Sequence, residues 1–249
     1  MKAAFFDIDG TIYRDSLLKE HFKRLIKYEL IDPRQWENKV KDLYTQWDIR
    51  EGGYDAYLLG LVESYIEAIQ NVTLEQNEFV ANQVMDVKAG RVYKYTRDRI
   101  KWHKKQGHKV IFISGSPEFL VSRMAKKYGA DDYCGTVYHY DGEKFTGETT
   151  PMWDSVSKQK AIDILGLYSN IDLKKSYAYG DTNGDLTMMK SVGHPITINP
   201  AKVFLKSIQG NKSLKNKIQI IVERKDVIYK LRSDVDIYEC SFIEDLEEE

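Results

Sequence analysis

Four short apolar runs punctuate the chain, and each ends in small, polar or acidic residues. Lys2-Ala3-Ala4-Phe5-Phe6 leads into Asp7-Ile8-Asp9-Gly10-Thr11, and Lys109-Val110-Ile111-Phe112-Ile113 into Ser114-Gly115-Ser116. Ser176-Tyr177-Ala178-Tyr179 leads into Gly180-Asp181-Thr182-Asn183-Gly184-Asp185, and Pro195-Ile196-Thr197-Ile198 into Asn199-Pro200. Their length and apolar content suit buried strands, with Gly10 allowing a sharp turn behind the first. Helical patterns lie between them, over Arg91–Gln106, Pro117–Tyr128, Lys158–Leu167 and Leu186–Ser191. Strands alternating with helices predict an α/β fold, a doubly wound, Rossmann-like parallel sheet. In such sheets the ligand crevice lies just past the carboxyl ends of the strands, where all of this acidic punctuation falls.

Residues 15–86 follow a different period. Leu17, Leu18, Phe22, Leu25 and Ile26 recur at helical spacing, as do Tyr57, Leu61, Tyr65, Ile66 and Ile69, and Trp36, Val40, Leu43 and Trp47 form a third stripe. The segment therefore reads as an all-helical insertion, residues 15–86, into an α/β core made of residues 1–14 and 87–249. It holds 14 acidic and 8 basic residues, a net of −6 that argues against a nucleic-acid clamp. An Asp141-Gly142 turn between Thr136–Tyr140 and Lys144–Thr146 predicts a β-hairpin. Lys212–Lys217 reads as a basic loop and Glu244–Glu249 as a solvated acidic terminus.

Composition narrows the class. The chain has 249 residues, 42% hydrophobic and 30% charged, with 16 Gly and only 5 Pro, which excludes collagenous and broadly disordered chains. Lys plus Arg number 37 against 38 Asp plus Glu, so no global basic field favours nucleic acid or an anionic membrane. No apolar stretch approaches a spanning length, and the run after Met1 is too short for a secretory signal. Cys134 and Cys240 stand far apart and support no disulfide framework, so a reducing cytoplasm is the expected location.

The candidate chemistry sits at the strand ends. Asp7 and Asp9 are two apart and, in extended chain, face the same way. Such a pair repels unless a cation or a shared proton intervenes. With Asp181 and Asp185 added, the carboxylates suit a hard divalent cation that takes oxygen ligands together with substrate phosphate, as Mg²⁺ does. Ser114-Gly115-Ser116-Pro117-Glu118 reads as a strand-to-helix junction with Ser116 as N-cap and Pro117 in the first helical position. That helix start and the Ser114 hydroxyl favour an anion, with Lys158 as counter-charge.

Together these segments resemble the haloacid dehalogenase-like hydrolase superfamily. Asp7-Ile8-Asp9-Gly10-Thr11 is similar to its DxDGT motif, Ile111–Ser114 to its second motif, and Gly180–Asp185 to its GDxxxD motif. Ser114–Leu120, Asp141–Glu148, Gly193–Pro200 and the position of the insertion resemble the phosphoserine-phosphatase branch. The resemblance implies Asp7 as nucleophile and Asp9 as general acid and base. It implies Mg²⁺ held by Asp7, Asp181 and the backbone carbonyl of Asp9. Ser114, Gly115 and Lys158 would hold the phosphoryl oxygens and Asp185 would support them. Lys160 is the alternative lysine, and the helical phase of Ile162 and Leu165 favours Lys158.

The implied activity is a Mg²⁺-dependent phosphatase acting on a small phosphorylated metabolite. A phosphotransferase or phosphomutase is the alternative, and a non-catalytic phosphate-binding domain the third reading. No nucleic-acid or membrane partner is expected. The sequence departs from phosphoserine phosphatases where substrate is chosen. Ser16 stands where that family has a glutamate for the substrate ammonium, and Tyr54–Leu59 contains no arginine for its carboxylate. The aromatics Tyr13, Trp47, Tyr54 and Tyr57 suit a less charged leaving group.

Overall fold

The computed structural model describes residues 1–237; Cys240 and the acidic run Glu244–Glu249 lie outside the described residues. The strands are β1 (Ala3–Phe6), β2 (Lys109–Pro117), β3 (Asp132–Asp141), β4 (Lys144–Thr150), β5 (Tyr177–Gly180), β6 (His194–Ile198), β7 (Gln219–Arg224) and β8 (Val227–Leu231). After β1 come α1 (Leu17–Lys27), α2 (Arg34–Lys39), α3 (Lys41–Asp48), α4 (Tyr54–Ile69), α5 (Leu74–Lys88) and α6 (Lys94–Lys105). The rest are α7 (Glu118–Tyr128), α8 (Ser155–Ser169), α9 (Leu186–Ser191), α10 (Lys202–Gln209) and α11 (Lys212–Lys215).

One eight-stranded sheet runs in the order β4-β3-β2-β1-β5-β6-β7-β8. All neighbours from β3 to β7 pair in parallel, and only the outermost pairs, β3 with β4 and β7 with β8, are antiparallel. The chain builds outward from β1 through β2 and β3, then crosses to β5 and builds the other way. The order therefore reverses between β1 and β5, and the crevice of a doubly wound sheet opens at that point. Asp7 follows β1 and Asp181 follows β5.

Alternation along the central strands feeds two cores. Phe6, Phe112 and Tyr179 face one layer with Ile100, Leu120 and Val121, while Phe5, Ile111 and Ala178 face the other with Ile162, Met188 and Phe204. β1 is buried at all four positions, because a central strand of a covered parallel sheet has no wet face.

The helices of the insertion enclose a third core around Phe22, Leu25, Tyr57, Leu61 and Tyr65, which Tyr138 and Phe145 of the β3–β4 hairpin also join. α5 serves both sides: Val80 belongs to this cluster, and Ala81 and Val84 belong to the sheet.

Several sequence expectations change. The Trp36–Trp47 stripe is two short helices that meet at Val40. β2 continues to Pro117, which becomes the residue before helix α7 rather than its first residue. Lys212–Lys217 is no loop. Asn211 Oδ1 caps α11, Leu214 is buried, and Lys217 Nζ donates to the carbonyls of Lys190 and Val192. β7 and β8 were not anticipated; β8 is largely exposed edge strand with no alternation to mark it. Among the described residues no helix is long and apolar enough to cross a membrane.

One buried group gives the fold a pH dependence. His103 contacts the Tyr179 hydroxyl through Nε2 (2.8 Å) and His108 through Nδ1 (2.9 Å). Burial, with Arg99 and His108 nearby, pushes its pKa down to about 3. The folded chain keeps this ring neutral while the unfolded chain protonates it below its ordinary value, so its stabilisation is lost as pH falls from about 6.5 towards 3. We expect the stability advantage of wild type over His103→Gln to shrink by up to ~1.4 kcal/mol per pH unit in urea titrations below pH 6. A pH-independent difference would contradict it.

Candidate active site

Asp7 leaves β1 with its N–H still donating to Tyr179 O (2.9 Å), so the last ladder bond fixes where the carboxylate begins. The chain then turns tightly, with the N–H groups of Ile12 and Tyr13 both donating to Ile8 O (2.8 Å). Gly10 sits at φ +78°, and a β-carbon there would lie 2.1 Å from Asp181 Oδ2. Only glycine lets the turn pass this close to the β5 loop. Thr11 Oγ1 donates to Asp181 Oδ1 (2.9 Å), tying the two loops together.

The structure brings Asp7, Asp181 and Asp185 together, each offering an oxygen within 4.8 Å of the others. Lys158 enters this cluster from the first turn of α8, which Asp154 caps by accepting from Val156 and Ser157 N–H. Its Nζ donates to Asp7 Oδ1 and to Asp185 Oδ1, both at 2.6 Å. Lys158 is buried and Lys160 exposed, which separates the two candidate lysines. Asp185 Oδ2 accepts the N–H groups of Asp181 (3.1 Å) and Thr182 (3.2 Å). Both oxygens of Asp185 are thus engaged, and it is at once a turn cap and the brace for Lys158.

Asp9 stands apart from this cluster. Its Oδ1 accepts Leu17 N–H (3.0 Å), and its Oδ2 accepts the hydroxyls of Ser16 (3.1 Å) and Ser116 (2.7 Å). Ser116 is therefore not the helix cap expected from the sequence; it links the β2 end to Asp9. Its spacing of two from Ser114 on an extended strand was the available signal. Phe112 pairs with Phe6, so Ser114 and Gly115 lie alongside the residue 7–9 loop. Ser114 is fully buried and its Oγ accepts Ser116 N–H (3.2 Å), while Gly115 O accepts the Thr136 hydroxyl (2.8 Å).

Electrostatics follow from this crowding. Desolvation pushes Asp7 up to about 8; Lys158 opposes the rise and Asp185 and Asp9 add to it. Asp181 is raised well above the carboxylate range by burial and by the charges of Asp7 and Asp185. Desolvation works against the Lys158 ammonium, but Asp185 and Asp7 outweigh it and hold its pKa up. Three buried carboxylates share one ammonium, and the raised Asp7 and Asp181 would ionise together only with a further cation beside them; Lys158 and Thr11 leave one oxygen of each free. This donor set, all hard oxygen, fits a divalent cation. Asp9 is pushed up to about 6 by desolvation, with Ser116, Leu17 N–H and Ser16 pulling it back.

Above the site, Trp47 stacks on Tyr57 (5.2 Å, 9°) and packs on Tyr54 (5.5 Å). Burial holds the Tyr54 phenol well above its usual pKa, and the charges of Asp181, Asp9 and Asp7 add to the rise.

The profile of haloacid dehalogenase-like hydrolases matches residues 4–190, and a second profile of the same description matches residues 151–231. The chain belongs to this hydrolase family. The chain is 30% identical over 202 residues to an inhibition of morphological differentiation protein of Streptomyces azureus, covering 80% of this chain and 72% of that one. It is 28% identical over 200 residues to a probable phosphatase of Mycobacterium tuberculosis, covering 80% and 69%. Its fold is similar to that of a phospho-aspartyl intermediate analogue of phosphoserine phosphatase, with a TM-score of 0.61 at 19% identity over 90% of this chain and 94% of that one.

A cation in the cluster would bind the folded chain alone and stabilise it. At a Mg²⁺ concentration of about 100 Kd the gain is roughly 2.7 kcal/mol, which raises the midpoint by about 5–10 °C for a chain of this size. We expect that shift for the metal-free protein in a thermal melt and its loss in Asp181→Asn. An unshifted wild-type midpoint would contradict the donor assignment.

Proposed function

We propose that the protein is a Mg²⁺-dependent phosphatase that hydrolyses a small phosphomonoester through an aspartyl phosphate on Asp7. The observation that carries this reading is Lys158 Nζ bridging Asp7 and Asp185 at 2.6 Å inside a buried three-carboxylate cluster. Residues 15–86 act as a cap over a core of residues 1–14 and 87–249, and the Trp47, Tyr54 and Tyr57 rings form its inner face.

Asp7 Oδ1 attacks phosphorus, and the bond to the leaving oxygen breaks as Asp9 gives that oxygen its proton. A carboxyl held at about 6 is partly protonated near neutrality and so suits this exchange. Asp9 then takes a proton from water, whose oxygen attacks the phosphorus of the aspartyl phosphate, releasing phosphate and restoring Asp7. The Ser16 and Ser116 hydroxyls hold the Asp9 carboxylate in place throughout. Lys158 has three N–H donors, two of them on Asp7 and Asp185, and the third serves a phosphoryl oxygen. Ser114 Oγ and Gly115 N–H serve the others. Asp7, Asp181 and the Asp9 carbonyl would hold Mg²⁺, which would neutralise charge on the transferring group. The same residues would serve a phosphotransferase, but no observation favours a second acceptor over water.

Substrate choice lies with the cap. Ser16 Oγ is committed to Asp9, so nothing at that position meets an ammonium. Phosphoserine entering beside the aromatic rings would leave its charges unpaired, at a cost of several kcal/mol in a dry site.

Asp7→Asn is expected to abolish phosphate release with the fold intact, and Asp9→Asn to lower kcat by ~10²-fold or more. Wild-type-like release by Asp7→Asn would overturn the covalent reading. A panel comparing kcat/KM is expected to rank aryl and neutral-alcohol phosphates at least tenfold above phosphoserine. Phosphoserine ranking first would refute the substrate argument.

A further inference from the structure

We propose a second binding site, for a small aromatic anion, in the cavity between α6 and the starts of β5, β6 and β7. The cavity holds about 380 Å³, and Tyr177, His194 and Gln219 at its wall are the first residues of those strands. The phosphoryl-transfer residues follow the strands' other ends, so the two sites occupy opposite edges of the sheet. Along β5 alone that separation is roughly 13 Å, at about 3.3 Å per residue.

The lining contains Arg99 and Lys217 but no carboxylate. Neither cation has an acidic partner within 4.0 Å among the described residues. Arg99 spends Nε on the Tyr179 hydroxyl (2.9 Å) and lies 4.0 Å from the Trp102 ring centroid. Its terminal nitrogens keep their donors. Lys217 donates to two carbonyls, Lys190 O and Val192 O, which hold its ammonium at the cavity without neutralising it. A positive pair fixed in this way selects an anion.

The body of the ligand follows from the remaining walls. Tyr95 and Tyr177 supply aromatic surface, Pro195 and Ile196 form an apolar floor, and the His194 ring stacks on Tyr177 at 4.6 Å. Gln219 adds one amide for orientation. The volume lies within the range of small-molecule pockets, about 300–1,000 Å³, and exceeds what a bare phosphate needs. An aromatic carboxylate or an aromatic phosphate satisfies every wall.

The test uses isothermal titration calorimetry of the full chain with three probes. Naphthalene-2-carboxylate carries ring and charge without a scissile phosphate, naphthalene-1-phosphonate offers the other head group in a form that cannot be hydrolysed, and naphthalene-2-carboxamide is the uncharged ring. At least one anion is expected to bind ten times more tightly than the amide, and their order names the head group. Gln219→Glu keeps the shape of the wall and adds a negative charge; it is expected to weaken that anion at least tenfold while leaving phosphate release unchanged. Lys217→Gln should weaken it in the same direction. Equal binding of acid and amide, or equal binding by wild type and Gln219→Glu, overturns the proposal.

Discussion

Asp7, Asp181 and Asp185 bring three carboxylates into one buried space in which Lys158 is the single ammonium. Coulombic repulsion among them is the constraint around which the surrounding structure is arranged. The sheet places Asp7 and Asp181 at the ends of adjacent parallel strands, so their approach is set by backbone pairing rather than by side-chain choice. Gly10 lets the first loop close on Asp181, and Gly180, whose β-carbon would lie 2.5 Å from Asp185 Cγ, lets the second fold back on itself. Asp154 starts α8 where its first turn carries Lys158 into the cluster. A hard cation brought into this space would relieve the repulsion, which is why the proposed function places one there.

A different environment governs Asp9, two residues from Asp7. It is held by two hydroxyls and one backbone N–H instead of by a lysine. Desolvation raises both carboxylates, but hydrogen bonds hold Asp9 to about 6, while Asp7, with Asp185 and Asp9 adding to the rise against Lys158, reaches about 8. The separate tasks proposed for these neighbouring carboxylates rest on their separate surroundings.

The central strands and Asp7, Asp9, Ser114, Asp181 and Asp185 were readable because each apolar run stops at small or acidic residues, while Lys158, on α8, was reached through the family resemblance. Spacing from Ile171-Asp172-Leu173 and the helical phase of Ile162 and Leu165 favoured Lys158 over Lys160, and burial agrees. Ser116 was misread because an N-cap and a strand-end hydroxyl look identical before Pro117; the continuation of β2 through Pro117 decides between them. β8 escaped notice because it is an exposed edge, where packing writes no alternating pattern, and β7 because its apolar run ends in the long side chains of Glu223-Arg224 rather than in the small or short polar residues that mark the other strand ends. Nor does any motif mark Arg99 and Lys217 as neighbours, since they are 118 positions apart in sequence and meet only across the cavity.

The covalent step on Asp7 is tested most directly by trapping it. Protein turning over an aryl phosphate is quenched in acid, reduced with borohydride and mapped by mass spectrometry. An aspartyl phosphate is reduced to homoserine, so the account requires homoserine at position 7 in substrate-treated protein and none at position 9 or in Asp7→Asn. Unmodified Asp7 during rapid turnover, with inversion rather than retention of configuration at a chiral phosphate, would contradict it.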